Sequence, residues 1–114
     1  MAEVETKILP GCLGKGLNLT DAADYSADSI VSKTLLNKPV GTITLFAFDR
    51  GQGLSEHTSP YDAVVQVLEG KARLTIGGSP QDVEAGQLIV MPANVPHAVD
   101  AEERFKMLLT MIRG

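Results

Sequence analysis

The chain has 114 residues, 44% of them apolar, which is enough to fill one hydrophobic core, and its formal charge of −4 with scattered basic residues offers no surface for a phosphate backbone. These features exclude nucleic acid as the expected partner. One cysteine cannot form an intramolecular disulfide, and no apolar run approaches the roughly 20 residues that span a bilayer. Because acidic residues occupy the amino terminus, where a secretory signal carries positive charge, the sequence predicts one cytoplasmic domain without membrane insertion.

The first 39 residues have no clear strand pattern. The stretch from Gly11 to Gly16 has the composition of a loop but lacks the Gly-Lys-Ser/Thr ending of a phosphate loop. The stretch from Leu19 to Ala23 either opens a helical turn or acts as a loop cap. We interpret residues 1–39 as a flexible arm that contributes either a strand or a dimer contact, followed by a barrel over residues 40–114.

From Val40 onward, short apolar and β-branched runs alternate with glycine, proline and polar turns, a pattern typical of consecutive β-strands. Their spacing predicts an all-β sandwich or barrel. The predicted strands are Ile43 to Phe48, Val64 to Leu68, Lys71 to Ile76, Gln87 to Met91, His97 to Asp100 and Phe105 to Ile112. The predicted turns are residues 50–53, 69–70, 77–80, 85–86, 92–96 and 101–103.

Three of the segments, residues 43–48, 64–68 and 107–112, are largely apolar on both faces, whereas the interior of a small barrel buries only one face. Their outer faces therefore need a cover. A second copy of the chain would supply it, and on this ground we expect a homodimer. Residues 1–40 would supply it within one chain, and the two covers are compatible with each other.

Two glycine-bounded segments that each contain a histidine resemble the two motifs of the cupin superfamily. The first motif is Gly, five residues, His-x-His, three or four residues, Glu, six residues, Gly. The second is Gly, five residues, Pro-x-Gly, two residues, His, three residues, Asn. The resemblance covers residues 43–112 and implies a small single-domain cupin with the double-stranded β-helix, or jelly-roll barrel. Six residues of this chain match the two motifs at the expected positions: Gly51, His57, Gly70, Gly86, Pro92 and His97.

The resemblance also implies one divalent metal, held by two histidines and a glutamate of the first motif and a histidine of the second. Here His57 and His97 are retained, but Ser59 and Ala63 stand at the positions of the second histidine and the glutamate. Because such sites normally have three or four protein ligands, we do not expect a tight one. A weakly held divalent metal on the two histidines is the alternative. The nearest carboxylate, Asp62, is one residue out of place and faces the other way unless a bulge intervenes.

Strand parity predicts which side chains share the interior with the two histidines, since alternate residues of a strand lie on one face. The resulting pocket is mostly apolar, and an alanine also takes the position of the asparagine that ends the second motif. Core packing is the alternative role for each member, including the histidines. The predicted pocket consists of His57, Ser59, Ala63, Val65, His97, Val99, Ala101, Met107 and Met111.

Three functions are compatible with this pocket, and because one fold hosts many chemistries the sequence names no substrate. The preferred one is binding of a small organic molecule, for example through its carboxylate or carbonyl group. The second is an enzyme, such as an oxygenase or isomerase, that uses His57 and His97 as partial metal ligands. A metal-free variant would use acid-base chemistry with Asp62 or Tyr61 as partner. The third is a structural or regulatory protein that acts through its dimer surface.

Overall fold

The structure, a computed structural model that describes residues 6–113, consists over these residues of ten β-strands and two short 3-10 helices. Within that range no helix is long and apolar enough to cross a membrane. The acidic start that argues against a secretory signal lies outside the described residues. The 3-10 helices are Pro10–Cys12 and Leu19–Asp21, and the strands are β1 (Lys7–Ile8), β2 (Ile30–Lys38), β3 (Gly41–Phe48), β4 (Gly53–His57), β5 (Asp62–Glu69), β6 (Lys71–Ile76), β7 (Ser79–Glu84), β8 (Leu88–Met91), β9 (His97–Asp100) and β10 (Phe105–Ile112).

The strands form two antiparallel sheets. One sheet has six strands in the order β1-β2-β3-β10-β5-β8, and the other has four in the order β4-β9-β6-β7. Side chains from both sheets meet in one buried cluster. The all-β class and the jelly-roll barrel predicted from the sequence are therefore confirmed.

The strands β6, β9 and β10 have the bounds predicted from the sequence. The polar strand β7 was not predicted, because Val83 is its only buried residue. It begins at Ser79 and Pro80, so the turn that the sequence predicts at residues 77–80 ends two residues earlier in the structure. Proline is tolerated there because β7 lies at the edge of its sheet. The strand β8 begins one residue later than predicted, because the side-chain oxygen of Gln87 accepts the Glu84 N–H at 2.8 Å and closes the turn.

The core between the sheets is centred on two phenylalanines on neighbouring strands. Phe48 of β3 and Phe105 of β10 are opposite each other in register, and both are fully buried. Their rings stack with the centroids 4.5 Å apart. Along β10, Met107 and Leu109 belong to the same core, so this face of the last strand points between the sheets.

The outer face of the six-stranded sheet is partly covered by the chain's own amino-terminal segment, residues 9–29. Leu45 and Ala47 of β3 are fully buried in this second cluster, together with Ala23 from the segment. Of the two covers considered for the outer faces, the one within the chain is present, while the homodimer stays a prediction. The strand β2 pairs with β3 in this sheet, and the expected division after residue 39 falls in the turn that joins them.

Polar contacts hold the amino-terminal segment against the sheet. The Tyr25 hydroxyl donates to Oε2 of Glu69 at 2.6 Å, and the buried Lys106 donates from Nζ to the Thr20 carbonyl. Lys106 Nζ also lies 4.9 Å from the centroid of the Tyr25 ring. Partial burial, followed by the hydrogen bond to Glu69, raises the pKa of the Tyr25 phenol well above its usual range. The phenol therefore remains a donor at alkaline pH.

Candidate functional site

His57 and His97 meet where β4 and β9 pair, directly opposite each other in register. Their Nε2 atoms are 3.1 Å apart, and the rings lie edge to face with centroids separated by 4.3 Å. His97 is 6% exposed, whereas His57 is exposed. The pair therefore extends from the interior of the barrel to solvent.

A bulge in β4 turns His57 toward its partner. Leu54 pairs with Val99 and His57 pairs with His97, so three steps along β4 correspond to two along β9. In a regular strand Leu54 and His57 would face opposite sides, and the extra residue places them on the same side. Both line the same cavity. This strand was not predicted from the sequence, because the bulge breaks its alternation.

Each imidazole directs its Nδ1 atom at a backbone carbonyl oxygen. The distance is 2.8 Å from His57 to Ser55 and 3.2 Å from His97 to Val95. A carbonyl oxygen only accepts, so each Nδ1 carries a proton, and in the neutral rings both Nε2 atoms present lone pairs. Two lone pairs facing each other at 3.1 Å repel, unless a proton or another cation contacts both. The two Nε2 atoms are therefore the ligand atoms that the pair presents to the cavity.

The two histidines form the polar end of a cavity between the sheets. The cavity is small, with a volume of about 50 Å³. Apart from the histidines and one serine, its walls are apolar. The lining residues are Leu54, His57, Ser59, Ala63, Met91, His97, Val99, Met107, Leu109 and Met111.

Two residues of the predicted pocket, Val65 and Ala101, do not line this cavity and instead pack in the buried core. Ala101 follows the far end of β9, about 13 Å along the strand from His97. There its backbone bonds to Gly51 and Gln52. Val65 lies one pleat beyond Ala63 on β5. The other predicted members line the cavity, namely His57, Ser59, Ala63, His97, Val99, Met107 and Met111.

Three lining residues were not predicted: Leu54, Met91 and Leu109. Leu109 has the same parity as Met107 and Met111, so the alternation of β10 could have identified it. Met91 directly precedes the proline of the second motif and ends a predicted strand. Leu54 had no comparable signal, because its orientation relative to His57 depends on the bulge.

Asp62 and Tyr61 lie outside the cavity lining. The strand β5 pairs without a register shift from Asp62 to Val65, so no bulge redirects Asp62. Its Oδ1 instead accepts the Ala93 N–H at 2.8 Å and joins the start of β5 to the turn that follows β8. Tyr61 is 36% exposed. The structure therefore places neither side chain where it could act as an acid-base partner of the histidines.

The donor set does not fit the divalent metal that the resemblance implies. Ser59 and Ala63 line the cavity at the positions of the missing histidine and glutamate. Among residues 6–113, no three His, Cys, Asp or Glu side chains come together as a metal-binding group. Without a carboxylate, a divalent ion would bring two uncompensated charges into apolar walls.

The fold and the two motifs together define the class of protein. A family model described as a cupin domain matches residues 44–112, and the chain belongs to the cupin family. This confirms the resemblance stated from the sequence. No match was found among curated proteins.

Several solved structures are similar to this chain. A conserved protein of unknown function from Streptococcus pyogenes is 38% identical, with a TM-score of 0.85 over 100% of this chain and 96% of that chain. A cupin 2 conserved barrel domain protein from Leptotrichia buccalis is 43% identical, with a TM-score of 0.83 over 85% of this chain and 47% of that one. A cupin superfamily protein from Desulfitobacterium hafniense is 26% identical, with a TM-score of 0.86 over 96% and 99%.

Proposed function

We propose that this cupin binds a small organic molecule whose carboxylate or carbonyl group contacts His57 and His97. The observation that carries the proposal is the pair of Nε2 atoms, 3.1 Å apart at the end of an apolar cavity. Pockets of this kind, with apolar walls and a few convergent polar groups, are typical ligand sites.

The size of the cavity limits the ligand. A water molecule needs about 10–15 Å³ by the same measure, so about 50 Å³ holds only a few heavy atoms. A larger ligand would have to extend past the exposed His57. The class that fits is a short-chain compound with one polar end and an apolar tail toward Met107 and Leu109.

A carboxylate matches the hydrogen-bonding state of the pair. Both Nδ1 atoms are engaged by carbonyl oxygens, which leaves the two Nε2 atoms for the ligand. A ring that carries a proton on Nε2 would donate to the carboxylate, and such a charge-assisted hydrogen bond contributes about 1.5–3 kcal/mol. A neutral alcohol of the same length would gain less from the pair.

We expect acetate, propionate or butyrate to shift the NMR resonances of the cavity methyl groups, with weaker effects from the corresponding alcohols. Replacing His97 by glutamine should weaken carboxylate binding about 10- to 100-fold, because one charge-assisted hydrogen bond is lost. The measurement is an NMR titration of methyl-labelled protein.

The matched control is Gln81→Glu on the exposed strand β7, which should leave binding unchanged. Equal shifts from carboxylates and alcohols, or undiminished binding in the His97→Gln variant, would count against the anion site. A well-dispersed amide spectrum of each variant shows that the barrel has folded.

The second candidate is a metal-dependent cupin enzyme that uses the two histidines as partial ligands. It is favoured by the hydrogen bonds from each Nδ1 to a carbonyl, since histidines that ligate metals usually donate their other N–H in this way. The residues Ser59 and Ala63 count against it, because they remove the remaining ligands of the divalent site.

We also propose that the chain forms a homodimer through the edge of the six-stranded sheet. Leu88 and Val90 on the edge strand β8 are 57% and 51% exposed, and Val64 lies beside Val90 on β5. The amino-terminal segment packs elsewhere on this sheet, in the cluster around Leu45. A second copy could pair its own β8 across a two-fold axis, which would satisfy the edge that is unpaired among residues 6–113 and bring these side chains of the two copies together.

The dimer is tested by light scattering after size exclusion. We expect the wild-type protein to elute as a dimer and the Leu88→Lys/Val90→Lys variant as a monomer, because like charges would face each other at the edge. Gln81→Lys, on an edge strand of the other sheet, is the control and should remain dimeric. A monomeric wild-type protein, or an unchanged double variant, would contradict the proposed interface.

A further inference from the structure

The three methionines among residues 6–113 all line the cavity that holds the histidine pair. Met91 and Met111 are the two cross-strand neighbours of Ala63, one on β8 and the other on β10. Ala63 is the position where the first cupin motif has its glutamate. Thioether side chains therefore flank the place of the missing carboxylate.

The histidines are held as metal ligands usually are. Each donates its Nδ1 proton to a backbone carbonyl, which fixes the ring and leaves Nε2 as the ligand atom. The two Nε2 atoms are 3.1 Å apart. With metal–nitrogen bonds of about 2.0–2.1 Å, one ion could contact both at an angle of about 95–100°. The pair thus suits one shared cation.

The charge of the cavity favours a monovalent ion. No aspartate or glutamate is among the lining residues, so a divalent ion would leave two charges uncompensated between apolar walls. A monovalent ion brings only half of that charge into the cavity.

We propose that the cavity is a site for a soft monovalent metal ion, copper(I), held by His57, His97 and the thioethers of Met91 and Met111. Imidazole and thioether ligands suit copper(I), whereas carboxylate and water suit harder divalent ions. This proposal and the proposed function both require that a ligand can enter the cavity. Copper binding is measured without any organic ligand, so either proposal can fail alone.

The test begins from Cys12→Ser, because the free thiol of Cys12 in the outer cluster would bind copper(I) by itself. Copper(I) is titrated anaerobically against a chromophoric chelator, and zinc(II) is titrated in parallel. We expect one equivalent of copper(I) to bind more tightly than zinc(II). In Met91→Leu/Met111→Leu, which keeps the side-chain volume but removes both sulfurs, copper(I) affinity should fall at least about tenfold and zinc(II) affinity should not change.

A second measurement needs no variant at the site. Silver(I), an air-stable analogue of copper(I), is added to protein labelled with carbon-13 at the methionine methyl groups. The Met91 and Met111 resonances should shift until one equivalent has been added. Tighter zinc(II) than copper(I) binding, methionine methyl resonances that do not move, or copper(I) affinity unchanged in the double leucine variant would each overturn the proposal.

Discussion

The Ser59→His/Ala63→Glu variant should bind manganese(II) or zinc(II) at least about 100-fold more tightly than the wild-type protein. The two substitutions restore the ligand types that the first cupin motif places at these positions, and both residues already line the cavity beside the histidines. Four ligands, one of them anionic, complete a site for which the wild-type chain supplies only half of the donors. The affinity is measured by isothermal titration with each metal.

The control is Ser59→His/Ala63→Gln, which has nearly the same size but lacks the negative charge. It should recover only part of the gain, because the buried divalent charge is then not neutralised. If the glutamate variant binds no more tightly than the wild type, side chains at 59 and 63 do not converge on the histidine pair. In that case the correspondence with the motif would not extend to the metal site.

Replacing Phe105 by alanine should lower the free energy of unfolding by about 3–5 kcal/mol, the range for deleting a buried aromatic ring. Phe105 is fully buried on the central strand β10, and its ring stacks on Phe48 with the centroids 4.5 Å apart. The substitution removes the apolar contacts, the stacking and the volume that the ring fills. The change is measured by denaturant unfolding, with the slope of the transition compared between the two proteins.

Tyr61→Ala serves as the control for this result, since Tyr61 is an aromatic residue that is 36% exposed and lies outside the core. Its loss should cost much less. A decrease below about 1 kcal/mol for Phe105→Ala would mean that the two sheets do not pack around this ring as described.

The strands with a clear apolar signal were predictable, and those held by their neighbours were not. The strand β10 was predicted with its observed bounds, because both of its faces are apolar and it lies between two strands. The strand β7 carries one buried residue, Val83, and owes its place to pairing with β6. Likewise β2 pairs with β3 although its sequence alternates poorly. Pairing partners far along the chain are not visible in a local pattern.

Two features of the sequence predicted part of the candidate site: the spacing of the motif residues and the alternation of side chains along each strand. The spacing placed His57 and His97 together, and parity placed Ser59, Ala63 and Met111 on the same wall. The bulge that turns His57 was not predictable, because an inserted residue changes the face of every position before it. The hydrogen bonds from each Nδ1 were also hidden, since they depend on ring orientation rather than on residue type.

The amino-terminal segment makes the folding unit larger than the part of the chain that the family model matches. That match begins at residue 44, inside β3, whereas β2 and the segment before it bury Leu45, Ala47 and the ammonium group of Lys106. A fragment that starts at residue 44 would expose the apolar outer face of the six-stranded sheet to other protein molecules. It would also leave Lys106 without its carbonyl acceptor. Such a fragment would be prone to aggregation, and the minimal expressible unit of this cupin therefore starts well before its signature motifs.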